Sequence, residues 1–251
     1  MDLTEGVIWK KLILYAGPVV LSSLLQSAYS ITDLIVAGWF IGKDGISAIN
    51  NASQVMMILT QIIMGITTGG NILMGQYFGS KDRSNRVKTN RTMFGFALSA
   101  GALLSVLLFL LSRPILAALR APALEEATAY LQVCSAGLIA IFGYNALAAM
   151  LRSVGNSKQP FYCVAVTAGC NIALDCLFMG GFRWGVRGAA LATVLAQWAS
   201  FVVCLVYVLR HRDLFGLVRR QISFHKDKMV QILKLGIPCA VQMTVVGPGW
   251  R

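Results

Sequence analysis

Charge is scarce in this chain. Only 13% of its 251 residues are charged, and ten are acidic. Ordinary soluble domains carry about 25% charged and 45–50% apolar residues. Here 57% are hydrophobic, with a mean hydropathy of +0.68. That excludes a disordered chain and opposes a soluble globular domain. Catalytic signatures are missing too. There is no Gly-x-x-x-x-Gly-Lys-Ser/Thr phosphate loop; Gly38 to Asp44 comes nearest and fails on spacing and on its last residue. No His-Glu-x-x-His helix or Gly-x-Ser-x-Gly elbow is present. The two histidines, His211 and His225, share one basic segment and read as solvated. An enzyme is therefore not expected. No Cys-x-x-Cys pair exists among Cys134, Cys163, Cys170, Cys176, Cys204 and Cys239. All six lie in apolar stretches, where a free thiol behaves as a small hydrophobe, so neither a disulfide framework nor a zinc site is expected.

What the chain does have is long apolar runs. A spanning helix needs about 20 mostly apolar residues. Six runs qualify: Leu12–Gly38, Ala48–Met74, Thr92–Ser112, Ala127–Met150, Phe161–Gly181 and Gly188–Leu209. A seventh opens near Val230. The first six residues hold Asp2 and Glu5, and the first run is too long for a cleaved signal, so it reads as a retained span. The expectation is an all-α transmembrane bundle: a six-span lobe over 1–209, a basic linker over 210–229 and a seventh helix over 230–251.

The net charge of +12 follows this layout. With the N-terminus inside, the inner segments hold fifteen Lys and Arg and the outer loops five. Basic residues collect in cytoplasmic loops. The expected location is therefore the cytoplasmic membrane, multi-pass, with lipid as the surrounding partner and no nucleic acid. Lys11-Leu-Ile-Leu-Tyr-Ala-Gly-Pro18 resembles Gln231-Ile-Leu-Lys-Leu-Gly-Ile-Pro238, 220 residues later. Each places a proline inside a new apolar helix after a basic segment. The second copy reads as the opening of a second repeat, and parallel six-span repeats are a transporter architecture. Gly-Pro-Gly at 247–249, where a span should continue, suggests a truncated second repeat or an altered reading frame.

Two of the ten acids fall inside spans: Asp33 and Asp175. A charge at the bilayer centre costs about 2.5–3.5 kcal/mol on insertion scales, and such residues mark ion or substrate sites. Helical spacing aligns Gln26, Tyr29, Ser30 and Asp33 in one stripe, and Thr167, Asn171 and Asp175 in another. Thr193 and Gln197 make a third. Carboxylates, an amide oxygen and a hydroxyl are hard donors that suit a small cation such as sodium, and paired carboxylates can instead trade protons. Asn171, Thr193 and Gln197 could equally be interhelical glue. Tyr144, Phe142, Met150, Met56, Met57 and Met64 could line an apolar pocket, though plain core is the commoner use. Gly65-x-x-x-Gly69 and Gly75-x-x-x-Gly79 fit close helix approach.

These motifs together resemble the N-terminal half of a MATE transporter (multidrug and toxic compound extrusion). The resemblance rests on Pro18 with Gln26-x-x-Tyr29-x-x-x-Asp33 and Gly38; on Gly75-Gln-Tyr-Phe-Gly79-Ser-Lys81; on Arg152-Ser-Val-Gly155-Asn-Ser-Lys158-Gln-Pro160; on Asn171-x-x-x-Asp175; and on Trp184-Gly-Val-Arg-Gly188-Ala-Ala-Leu-Ala-Thr193. It implies twelve spans in two lobes and export of drugs, often cationic and amphipathic, in exchange for sodium ions or protons. It implies that Asp33 is the first-span coupling acid, and that Asp175, Asn171 and Thr193 complete a cation site. Gln26, Tyr29 and Tyr144 are the candidate substrate-cavity residues. No cofactor beyond the coupling ion is expected, and the missing C-terminal lobe is the expected partner. A lipid-linked oligosaccharide flippase of related architecture is the alternative; it calls for basic residues within the spans, and almost none are present. An inactive fragment is the other alternative.

Overall fold

The computed structural model describes residues 8–211, 215 and 224–246. Every regular element among them is helical. Helix α1 (Ile8–Gly79) breaks at Gly42, whose φ of 79° and ψ of −173° lie where a side chain is strained. The break separates two spans, Tyr15–Gly42 and Gly45–Gly79. The loop expected between the first two runs is thus a hinge around one glycine. Then come α2 (Arg83–Ala118), α3 (Leu124–Ser135), α4 (Leu138–Ser153), α5 (Lys158–Asp175) with a π-helical extension (Cys176–Gly181), α6 (Gly185–Arg210) and α7 (Lys226–Val246). Five helices are long and apolar enough to cross a membrane. The fourth run is a broken span: α3 and α4 meet at an angle of 48°. With that pair the spans number six, as the apolar runs predict.

The connections are built from short polar motifs. Asp82 caps α2: its Oδ1 accepts from the Asn85 amide at 3.0 Å and its Oδ2 from Asn85 Nδ2 at 2.7 Å. These bonds hold the Asp82 carboxyl below its ordinary value. After α4, Gly155 turns left-handed at φ 77°, and the Asn156 amide donates back to the Leu151 carbonyl at 3.0 Å. Asn156 then reaches the Tyr207 hydroxyl at 3.1 Å, tying this turn to α6. Pro18, Pro114 and Pro238 all sit inside helices, which membrane bundles tolerate because neighbours satisfy the freed backbone groups.

The core runs between α1, α2, α3, α4 and α6, with Met74, Met93, Leu131, Leu147 and Met150 fully enclosed. Met150 and Phe142 are therefore core rather than pocket lining. Cys134, Cys163 and Cys204 are buried and free as expected, whereas Cys176 is exposed. His211 is exposed, as the solvated reading has it, and His225 is half-buried. The His211 ring lies 4.4 Å from that of Tyr207, and the His225 amide donates to Thr92 Oγ1 at 3.2 Å.

Helix α7 packs along the second span of α1 through small residues. A Cβ built on Gly65 would collide with the backbone of Ala240, and one on Gly69 with that of Gly236. A Cβ on Gly236 would stand 2.7 Å from Ile66 Cα. Gly65-x-x-x-Gly69 therefore faces Gly236-x-x-x-Ala240, the small-residue packing that lets helix backbones touch. The matching expectation for Gly75-x-x-x-Gly79 is overturned: a Cβ on either meets nothing within 4 Å. These two glycines lie at the helix end, past the part that α7 covers most tightly.

Polar contacts fasten the same seam at its basic end. The Lys228 ammonium, only 5% exposed, donates to the Tyr77 hydroxyl at 2.8 Å. The Tyr77 hydroxyl donates in turn to Gln231 Oε1 at 3.2 Å. Asn90 Nδ2 donates to the carbonyl of the buried Phe215 at 2.8 Å. Both ends of the basic linker are thus anchored to the start of α2 and the end of α1. Gly69→Leu is expected to lose about 1–3 kcal/mol through overpacking, read as earlier thermal unfolding of the detergent-purified chain. Gly75→Ala should leave that transition within a degree or so of wild type.

Candidate functional site

The two membrane acids come from distant parts of the chain. Asp33 lies two turns before the Gly42 break in the first span. Asp175 closes α5 at the point where it loosens into the π-helical turn. Such π turns recur at functional positions because they reorient side chains. The bundle brings the two carboxyls within electrostatic reach of each other. Asp175 is fully buried and Asn171, one turn earlier, is 1% exposed.

None of these groups is satisfied by the protein. Asp33 Oδ1, both Asp175 oxygens and both Asn171 amide atoms are buried without a hydrogen-bond partner. Neither acid forms an ion pair among the described residues. Buried polar groups in native proteins are nearly always partnered, so a cluster of orphans calls for an unseen ion, water or proton. Two adjacent carboxylates cannot both carry charge in a water-poor bundle unless a cation stands with them. The donors are four carboxylate or amide oxygens, the hard chemistry that alkali and alkaline-earth cations prefer. Among the described residues no three His, Cys, Asp or Glu converge as a transition-metal site would need.

The other candidates are placed as follows. The Thr193 hydroxyl donates to the Ala189 carbonyl of its own helix at 3.0 Å, leaving its lone pairs free to accept. The Thr167 hydroxyl donates likewise to Cys163 at 2.9 Å. Tyr144 donates to the Pro160 carbonyl at 3.2 Å and so ties α4 to α5. Gln26 is exposed on the first span. The side chains of Tyr29 and Ser30 lie outside the described residues. One neighbour was not foreseen. Tyr130 of α3, 4% exposed, stands within electrostatic reach of Asp33, with Ser53 and Cys134 against its hydroxyl. Only an α3 stripe pairing this tyrosine with Cys134 one turn on could have hinted at it.

The helical bundle has counterparts among known proteins. The MatE family profile matches residues 18–177. The chain belongs to the MATE family. The matched stretch contains Asp33, Asn171 and Asp175 and stops before Thr193. Among curated MATE relatives, the probable multidrug resistance protein YpnP of Bacillus subtilis is 30% identical over 99% of this chain and 56% of its own length. YoeA of the same organism, also a probable multidrug resistance protein, is 29% identical over 95% of this chain and 54% of its own. The multidrug export protein MepA of Staphylococcus aureus is 23% identical over 97% and 54%. The fold matches a crystal structure of a MATE protein in the straight conformation, with TM-score 0.87 and 22% identity, covering 93% of this chain and 53% of that one. An outward-facing MATE structure matches at TM-score 0.86. The chain spans about half the length of the MATE relatives it matches. Like them it is a multi-pass membrane protein, and its relatives are transporters rather than enzymes.

The orphaned acids generate a stability prediction. Replacing Asp175 by Asn removes a buried charge that no protein group compensates. Asp175→Asn is expected to unfold later than wild type in sodium-free buffer at pH 8, with the wild type catching up as sodium is added or the pH lowered. Differential scanning fluorimetry in detergent measures both; a variant less stable than wild type throughout would refute the reading.

Proposed function

We propose that this chain is the N-terminal lobe, with the opening helix of the second lobe, of an ion-coupled antiporter that exports amphipathic and often cationic compounds. The observation that carries the proposal is the Asp33–Asp175–Asn171 cluster, whose buried oxygens have no protein partner. In this reading the pair holds either a sodium ion or a shared proton. Thr193 adds a hydroxyl lone pair from α6, and Gln26, Tyr29 and Tyr144 contribute to the substrate cavity. A bound ion shifts an equilibrium only as far as its affinities for the two states differ. The pair spans α1 and α5, so filling it draws the first span toward the rest of the lobe, and emptying it releases that span.

The exposure of the first span supports a partner lobe. Leu24, Ile31, Trp39 and Phe40 present 49–76% of their surface. Such exposed apolar side chains on one span fit a second lobe packed against it, with the drug path between. The distribution of Lys and Arg supports an N-terminus on the cytoplasmic side of the cytoplasmic membrane. The full-length transporter containing this lobe, reconstituted in vesicles with an imposed sodium or proton gradient, tests the proposal. Asp33→Asn is expected to reduce gradient-driven export of a cationic dye to the level of empty vesicles. Undiminished export by that variant would remove Asp33 from the coupling site.

A further inference from the structure

A second feature includes neither Asp33 nor Asp175. A cavity of about 560 Å³ opens between α2, α3 and α6. Its α6 wall is a single stripe: Arg187, then Leu191 one turn on and Val194 two turns on. Its α2 wall is apolar and outward-facing, with Val106, Phe109 and Leu110 each more than half exposed. Gln132 of α3 is the other polar side chain that enters it besides the short serines 105 and 135. Those two serine hydroxyls are already spent on the backbone carbonyls of Ser135 and Gln132. By contrast, neither the Arg187 guanidinium nor the Gln132 amide has a hydrogen-bond or ion-pair partner among the described residues. The neighbouring cation Arg113 is neutralised by Glu125 at 2.8 Å.

The height of Arg187 can be read from its surroundings. Phe178, Phe182 and Trp184 stack with centroids 5.3–6.2 Å apart just before α6 begins. Phe182 and Trp184 are each more than half exposed. Exposed aromatic clusters at the end of a span mark the headgroup level. Arg187 follows Trp184 by three residues, so its charge sits at that level while the cavity runs down into the hydrocarbon.

We infer that this groove is a binding site for an anionic phospholipid, with the phosphate on Arg187, the glycerol ester near Gln132 and an acyl chain along Leu191, Val194, Val133 and Leu110. The charge decides the class of ligand. A lone guanidinium at the mouth attracts an anionic headgroup, for which its donor fork is suited, and repels the cationic compounds proposed as transport cargo. The principal packing partner of α7 is α1, so the second repeat begins away from this groove.

Native mass spectrometry of the purified 251-residue chain, equilibrated with an equimolar mixture of phosphatidylglycerol and phosphatidylcholine of identical acyl chains, tests the inference. Wild type is expected to retain phosphatidylglycerol at least tenfold over phosphatidylcholine. Arg187→Gln should lower that ratio about tenfold, Arg187→Lys should restore most of it, and Arg120→Gln should leave it unchanged. Should Arg187→Gln fail to fold, Leu191→Trp fills the groove with the charge kept and should lose the bound phosphatidylglycerol. Equal retention of the two lipids by wild type would overturn the site. So would an unaltered ratio in Arg187→Gln, or displacement of the lipid by inorganic phosphate alone. A lipid-free dimer abolished by Leu191→Trp would assign the groove to a second copy of the chain and overturn it equally.

Discussion

Asp33 and Asp175 meet inside a helical bundle in which no basic residue pairs with them, and much of the architecture can be understood from that encounter. An unpaired buried charge costs several kcal/mol, and a second like charge beside it adds repulsion. The lobe keeps both acids, with the Asn171 amide orphaned beside them. In the proposed function a small positive species occupies the site, and whatever binds there would also fasten the first span to α5. That is the property a coupling site requires.

The rest of the molecule separates rigid from movable contacts. Along the second span of α1, Gly65 and Gly69 let α7 approach until backbones touch, and the Lys228–Tyr77–Gln231 contacts close that seam at its basic end. This part behaves as one body. The first span is different. It is joined to the second only through Gly42, it is the least enclosed of the spans, and its deepest polar tie within the lobe is Asp33. In the proposed mechanism this span, broken from the next at Gly42 and tied to the lobe also by the Tyr15 hydroxyl on the Arg152 carbonyl at 3.3 Å, is the part that filling the acid pair would move.

Much of the fold was legible in the sequence because lipid imposes simple rules: apolar length sets the spans and basic loops suggest their direction. The two membrane acids stood out for the same reason, being the two acids within the six apolar runs, and Asn171, four residues before Asp175, followed from helix geometry. What could not be read were features set by backbone detail or by distant packing. Nothing in the composition separates Gly42, which breaks a helix, from Gly75, which does not. The fourth apolar run gives no sign that it bends between α3 and α4. Tyr130 reaches the acid pair through tertiary packing alone, and the buried Phe215 and Lys228 are hidden within a linker that reads as uniformly polar. The motifs carrying the family resemblance divide along these lines: Asp33, Asn171 and Asp175 supply the candidate site, whereas Gly155-Asn-Ser-Lys158 and the segment ending at Lys81 stop one helix and start the next.

The central claim is that the acid pair holds a proton or a cation rather than two bare charges. Infrared difference spectroscopy of the carboxylic-acid carbonyl stretch tests it most directly on the purified chain. The account predicts that neutral, sodium-free wild type shows the band of a protonated, water-shielded carboxyl. That band should disappear on alkaline titration or on cation binding, and should be altered or lost in both Asp33→Asn and Asp175→Asn. A wild-type spectrum without the band, unchanged by pH or by sodium and identical to those of the two variants, would contradict it.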